Sequence, residues 1–198
     1  YLLFSTKRGK IKKTSLSAYS NPRVTGIWAI KLQDNDELVD TKLSDGEKEI
    51  MLATNSGQAI RFDEDEVRST GRYTMGVKGA ELEDGDEVVS MTLVEDDDML
   101  LTLTENGYGK RCPVERYRKT RRGAKGVITM RVTDRNGPVR CARVVEDEEE
   151  ILLMSKNGMI IRTPVEDISV QGRRTMGVRT MKLKEDDEFI GMSKVISE

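Results

Sequence analysis

A chain of 198 residues has room for one or two domains. With 36% hydrophobic and 34% charged residues it reads as globular rather than disordered, because its apolar runs recur evenly. Its formal net charge of −2 argues against a uniformly basic nucleic-acid binder. The chain has no histidine, which removes the commonest general base and the commonest metal ligand. Cys112 and Cys141 stand far apart with no C-x-x-C pair, so a zinc site is excluded and both read as reduced cysteines packed in strands. No apolar run approaches the ~20 residues of a membrane span.

The first apolar run is Tyr1-Leu2-Leu3-Phe4, which opens the chain without an initiator Met and reads as part of something longer. It leads into a turn at Gly9. The same pattern of apolar run and turn glycine returns at Met51 to Gly57, Leu101 to Gly107 and Ile151 to Gly158, so the turn glycines Gly9, Gly57, Gly107 and Gly158 are spaced by 48, 50 and 51 residues. Four residues after each stands a cation: Lys13, Arg61, Arg111 and Arg162. A second glycine followed by a β-branched residue comes later in each unit: Gly26-Ile27, Gly76-Val77, Gly126-Val127 and Gly177-Val178. Two independent markers with one period define four repeats, at about 1–48, 49–98, 99–149 and 150–198.

Each unit predicts four short strands. In the second, Glu49 to Thr54 is an apolar run too short for a helix and fits a strand buried on both faces. Asn55-Ser56-Gly57 turns it into Gln58 to Phe62. A third strand is expected at Val77 to Leu82 and a fourth at Glu87 to Val94, across the turn Glu83-Asp84-Gly85-Asp86. No segment has a convincing helical period. Four-stranded units of this length predict an all-β, propeller-like array of antiparallel blades, each stable only against its neighbours.

The loop between the second and third strands carries the most chemistry. In the third unit it is Thr120-Arg121-Arg122-Gly123-Ala124-Lys125-Gly126, three cations and two glycines in seven residues. Guanidinium forks and an ammonium suit phosphate oxygens. Glycine admits dihedrals closed to other residues and leaves room for close approach. The equivalent loops are Asn21 to Gly26, Gly71 to Gly76 and Gly172 to Gly177, each with an arginine three to five residues before the closing glycine. Evenly spaced on a ring of blades, such cations form a track for a phosphate backbone, which positions DNA without reading its sequence. The competing reading is that they pair with the acidic runs Asp63 to Glu66, Glu95 to Asp98, Glu146 to Glu150 and Glu185 to Glu188. The track residues are Arg23, Arg72, Arg121, Arg122, Lys125, Arg173 and Arg174, with Gly123 and Gly126 acting through the backbone. A secondary set comes from the second strands: Lys12, Lys13, Arg61, Lys110, Arg111 and Arg162.

The apolar strand, Asn-Gly turn, basic second strand, basic glycine loop and G-[VI] third strand resemble the C-terminal domain of the DNA gyrase A protein. Especially similar are Glu105 to Arg111, Lys125 to Ile128 and Ala29 to Leu32. The resemblance covers essentially the whole chain. It implies a β-pinwheel, a propeller variant whose neighbouring blades exchange a strand, and it implies DNA wrapped on the basic perimeter in support of negative supercoiling. It further implies a cytoplasmic parent enzyme, an ATP-dependent type II topoisomerase partnered by the gyrase B protein, with ATP and magnesium held elsewhere and no cofactor, metal or catalytic residue here. The family's Q-R-R-G-G-K-G box is matched by Thr120 to Gly126 except at Thr120 and Ala124. The related domain of topoisomerase IV, or a protein-binding propeller, are the alternatives.

Arg72-Tyr73-Thr74 imitates the arginine–tyrosine context of a DNA-cleaving tyrosine. The repeat register instead aligns Tyr73 with Arg23, Gly123 and Arg174, which makes it a loop aromatic resting on a sugar-phosphate edge. Asp34-x-Asp36 and Asp84-x-Asp86 fall short of a calcium loop and read as solvated turns.

Overall fold

The computed structural model describes residues 1–196. Its strands are β1 (Leu2–Thr6), β2 (Lys10–Thr14) and β3 (Leu38–Leu43); β4 (Glu49–Thr54), β5 (Gln58–Asp63), β6 (Val77–Lys78) and β7 (Val88–Val94); β8 (Met99–Thr104), β9 (Tyr108–Pro113), β10 (Val127–Ile128) and β11 (Val139–Val145); and β12 (Glu150–Ser155), β13 (Ile160–Pro164), β14 (Val178–Arg179) and β15 (Phe189–Lys194). The only helical segments among the described residues are short 3-10 turns such as Glu64–Glu66, Val114–Arg116 and Val165–Asp167. The fold is all-β and propeller-like.

The sheets do not follow the sequence units. Their strand orders are β3-β1-β2-β6, β10-β5-β4-β7, β11-β8-β9-β14 and β13-β12-β15. The third strand of each later unit therefore completes the sheet of the unit before it. The same hydrogen bonds recur at each exchange. The Gly9 carbonyl accepts from Gly79 and Ala80 N–H, Gly57 from Thr129 and Met130, and Gly107 from Thr180 and Met181. These bonds bend the chain round the turn glycine, so the exchanged strand holds a two-residue ladder rather than the six residues predicted at Val77 to Leu82. Among the described residues β13 has no such partner, and the fourth sheet stays three-stranded.

Alternation along the first strand of each blade builds the cores. Ile50 and Leu52 of β4 face the first blade with Leu3 and Ile11, while Met51 and Ala53 face the third with Leu100, Cys112 and Tyr117. Leu101 and Leu103 in turn face Ile151, Leu153 and Phe189 of the fourth. A period-two strand with apolar residues on both faces is what a central blade requires. Each fully buried Leu or Ile contributes roughly 1.5–3 kcal/mol. Both cysteines are free and buried in these layers.

All eight marker glycines have positive φ. At Gly57 an added Cβ would also lie 2.3 Å from the Met130 carbonyl oxygen, whereas at Gly158 it would meet nothing within 4 Å. Gly158→Ala is expected to cost about 1–2 kcal/mol, the strain of a left-handed alanine. Gly57→Ala should cost about 1–3 kcal/mol more, because the exchanged backbone must move. Urea unfolding of the two variants measures the difference.

Candidate nucleic-acid interface

The second-strand cations do not face solvent, which corrects the expectation placed on five of them. Arg61 donates through Nη1 to the carbonyls of Val114 and Tyr117, each at 3.1 Å, and pairs with Glu49 and Asp96. Arg111, one repeat later, donates to the carbonyls of Ile168 and Glu166 and pairs with Asp147. Lys13 holds Glu64, with Nζ 2.9 Å from Oε1. Each therefore ties its own blade to the 3-10 turn of the next. Its main chain continues the tie, since the carbonyls of Lys13, Arg61 and Arg111 accept from Thr70, Thr120 and Gln171 N–H, where the following loop begins. Arg162 has no succeeding turn among the described residues. Its side chain is 57% exposed against 6% for Arg111, and it pairs only with Glu150 of its own sheet.

Lys12 and Lys110 are buried as well. Lys110 Nζ donates to the carbonyls of Gly172, Arg173 and Thr175 and lies 3.0 Å from Thr175 Oγ1, so it fixes the loop of the fourth unit from below. Lys12 Nζ reaches Thr14 Oγ1 and the Ala29 carbonyl. Burial pulls the pKa of both down to about 8. These cations are structural because their strand is sandwiched between blades, where an ammonium without backbone acceptors would be costly.

The loops of the second, third and fourth units lead into the exchanged strands β6, β10 and β14, which close the first three sheets at the edge opposite the fourth strands. The loop cations divide into two sets. Arg122 is committed to protein, with Nε and Nη1 donating to the carbonyls of Glu66 and Lys78 and its own N–H donating to the Glu66 carboxylate. Arg173 occupies the same register and donates to the Ile128 carbonyl, with its guanidinium 5.8 Å from the Tyr117 ring centroid. Lys125 pairs with Glu83, both ends exposed, which raises its pKa through the hydrogen bond and then the charge. Arg23, Arg121 and Arg174 are exposed and Arg72 half-buried, and none has an ion pair or a side-chain hydrogen bond among the described residues. The acidic runs pair with second-strand cations and with lysines elsewhere, and among the described residues they make no ion pair with Arg23, Arg72, Arg121 or Arg174.

Gly126 matters for interblade packing. Its φ is +86°, and an added Cβ would lie 2.4 Å from the Ala59 carbonyl oxygen. Gly123 also has positive φ, but a Cβ there would make only ordinary contact with Lys78. The Asp-x-Asp turns are not merely solvated. Asp36 is buried and accepts from Thr6 Oγ1 and from Arg8 and Glu37 N–H. Asp86 and Asp187 repeat this against Ser56 and Ser155, and Asn136 stands in their register, bonded instead to Thr133. Tyr73 is an exposed loop aromatic 5.5 Å from Trp28.

Sequence reasoning missed Arg68 and Arg118. Both are exposed, without side-chain partners among the described residues, and they sit one repeat of 50 residues apart. That shared register was the available signal. Arg118 lines one concavity with Gln58, Gly126, Ile128, Arg173 and Arg174.

A family model described as the DNA gyrase C-terminal domain, a beta-propeller, matches residues 1–45, 48–95, 98–140 and 149–196. The chain belongs to this family. It is 56% identical over 195 residues to the A subunit of DNA gyrase from Halalkalibacterium halodurans and 40% identical to that from Pseudomonas aeruginosa, covering 98% of itself in each case. It spans 23% and 21% of those relatives' lengths. Among solved structures, a DNA gyrase A C-terminal domain superposes with a TM-score of 0.91 at 32% identity, covering 99% of this chain and 66% of that one. A C-terminal domain of DNA topoisomerase IV gives 0.93 at 32% identity, covering 98% and 61%.

Of the two departures from the gyrase box, Thr120 has a side-chain contact: its Oγ1 joins its N–H in donating to the Arg61 carbonyl and ties the loop to the preceding unit. Ala124 makes its tie, from Glu81 N–H, through its main-chain carbonyl.

Two outcomes test this division of cations. Arg111→Ala should lose about 3 kcal/mol, since it strips two carbonyls and a carboxylate of a buried donor, whereas Arg162→Ala should stay within about 0.5 kcal/mol; chemical denaturation compares them. For Lys110 the folded pKa of about 8 lies below the ordinary 10.5. Between these values the unfolded chain binds more protons, so the lysine makes stability rise with pH in that window and contributes no slope below it. Lys110→Met should flatten the gain in urea midpoint between pH 7.5 and about 10.

Proposed function

We propose that the chain binds duplex DNA without sequence preference and wraps it around its perimeter. The observation that carries this reading is the row of unpartnered loop arginines, Arg23, Arg72, Arg121 and Arg174, in a protein whose other basic side chains are largely tied to carboxylates and carbonyls. One or more stands in the loop of every unit, those of Arg72, Arg121 and Arg174 leading into the exchanged strands, so a backbone following the curve meets a guanidinium group at each blade. A net charge of −2 does not oppose this, because the potential at one edge depends on local charge. Arg68 and Arg118 extend the row, Lys125 can exchange Glu83 for a phosphate, and Arg173 offers the face of its guanidinium.

Within a whole gyrase, such wrapping would feed ATP-dependent negative supercoiling in a cytoplasmic assembly with the gyrase B protein, with ATP and magnesium bound outside this chain. Among the described residues no helix is long and apolar enough to cross a membrane. A second reading, the equivalent domain of topoisomerase IV, draws on the equally close solved structure. The identities of 56% and 40% to gyrase A proteins favour the first.

Replacing Arg72, Arg121 and Arg174 by Ala should leave the fold intact, since none is tied to the protein. It should lower affinity about equally for unrelated duplexes and reduce the magnitude of the salt slope by up to about 3. Asp97→Asn with Glu148→Gln is the control, because both are exposed and unpaired among the described residues, and it should bind at least as tightly as the parent. Fluorescence anisotropy across a salt series measures both. A triple variant with the parent's affinity and slope would refute the track, and a parent chain that ignores DNA at low salt would favour a protein-binding propeller.

A further inference from the structure

The cation-bearing loops of the second, third and fourth units each meet the segment that follows the loop of the unit before, and one of these meetings is aromatic. Position 28 of the first unit corresponds to Lys78, Ile128 and Arg179, and position 73 to Gly123 and Arg174. Trp28 and Tyr73 therefore occupy the seam that Lys78 and Gly123 form one blade later. They pack edge to face with centroids 5.5 Å apart, yet Trp28 remains 68% and Tyr73 58% exposed. Backbone bonds hold the seam, since Lys31 N–H donates to the Thr74 carbonyl as Glu81 does to Ala124 and Arg131 to Thr175. Around the pair stand Arg23 and Arg72, which line a concavity with Thr25, Gly26, Ile27 and Trp28, and Lys31, whose Nζ lies 5.6 Å from the Tyr73 centroid.

Two features point to the occupant. First, Lys78, Ile128 and Arg179 stay exposed although their strands are paired, so pairing at this register leaves the side chain outward. Strand exchange alone would not cover Trp28. Second, an apolar protein partner would have to desolvate three cations to reach the aromatics, whereas a duplex offers phosphates to the cations and sugar and base edges to the rings.

We propose that Trp28, backed by Tyr73, is a non-ionic DNA contact that enters a groove at a deformed base step while Arg23 and Arg72 hold the flanking phosphates. This rests on the DNA-wrapping reading. An apolar wedge on a bending surface favours pyrimidine–purine steps, which unstack most easily. It would set where along an otherwise unselective rim the duplex is registered.

Trp28 is the only tryptophan in the chain, so its emission reports on this site without labelling. Saturating the 198-residue chain with a duplex of about 40 base pairs, with binding followed independently by anisotropy of a dye on the DNA, should quench Trp28 emission and reduce its accessibility to iodide. Trp28→Ala should weaken binding about tenfold with an unchanged salt slope, and Trp28→Phe should retain most of the affinity. Circular dichroism of both variants should match the parent, since the side chain is exposed. If the chain binds DNA with unaltered Trp28 emission and iodide access, the aromatic contact is wrong while the wrapping reading stands. If Trp28→Ala lowers the salt slope, the tryptophan only shapes the cationic loop, and the contact is again overturned. Absence of any binding at low salt removes both.

Discussion

A buried cation near the end of each of the first three second strands, Lys13, Arg61 and Arg111, holds this array together. Arg61 and Arg111 reach from one blade into the 3-10 turn of the next, where they satisfy the Tyr117, Glu166 and Ile168 carbonyls and add a second donor to Val114, whose carbonyl already accepts from Tyr117 N–H. Turn carbonyls buried without partners would each cost about 1–3 kcal/mol. The guanidinium suits the task because it carries five donors in a fixed fork and stays charged when buried. Its remaining donors pair with Asp96 or Asp147 in the turn after the fourth strand, so the arginine also closes its own blade. Burial works against the Arg61 charge, and the bonds to Asp96 and Glu49 more than offset it, leaving its pKa raised.

The clamp sets the geometry of the loops. The residue that grips the turn offers its carbonyl to the first N–H of the loop that follows. Arg122 and Arg173 then anchor the middle of their loops on carbonyls of the preceding exchanged strand, and Lys110 fills the space beneath the last. By the time the chain reaches Arg121 or Arg174, the backbone is fixed at both ends and the side chain alone is free. A rim built this way presents its cations without first having to order a loop, which lowers the entropic cost of binding. Arg122 and Arg173 therefore support the presentation of their neighbours Arg121 and Arg174.

The repeat and the hairpins were legible because their causes are local. A positive-φ glycine at each turn and an apolar strand with no helical period are visible in any ten residues. Strand exchange was not legible from residues alone, since Val77-Lys78 carries nothing that says which neighbour it joins; only the family resemblance implied it. The two kinds of cation were also indistinguishable. Lys12 and Lys13 are adjacent in a strand, so alternation sends them to opposite faces, yet both were expected to contact DNA. Both faces of this strand are covered, by the neighbouring blade on one side and the 3-10 turn and loop on the other. A basic pattern thus marked buried struts as strongly as exposed contacts. Asp36 and Asp86 misled in the opposite sense, since carboxylates in a turn look solvated until the serine, threonine and N–H groups they cap are placed around them. Trp28 went unremarked because it has no aromatic counterpart in the other units, and a search for repeats is blind to what does not repeat.

That blindness bears on how the rim divides its labour. Features present in every blade, such as the clamps, the glycines and the loop arginines, give a duplex equal reasons to lie anywhere along the curve. A contact present once gives it a reason to lie in one place. Ionic contacts exchange readily with counterions and fall off steeply with salt, whereas burial of an aromatic edge does not depend on ionic strength to first order. A perimeter of repeated cations with one aromatic seam therefore separates two demands on a wrapping surface: affinity spread along the path, which salt can tune, and a fixed point of register, which salt leaves in place.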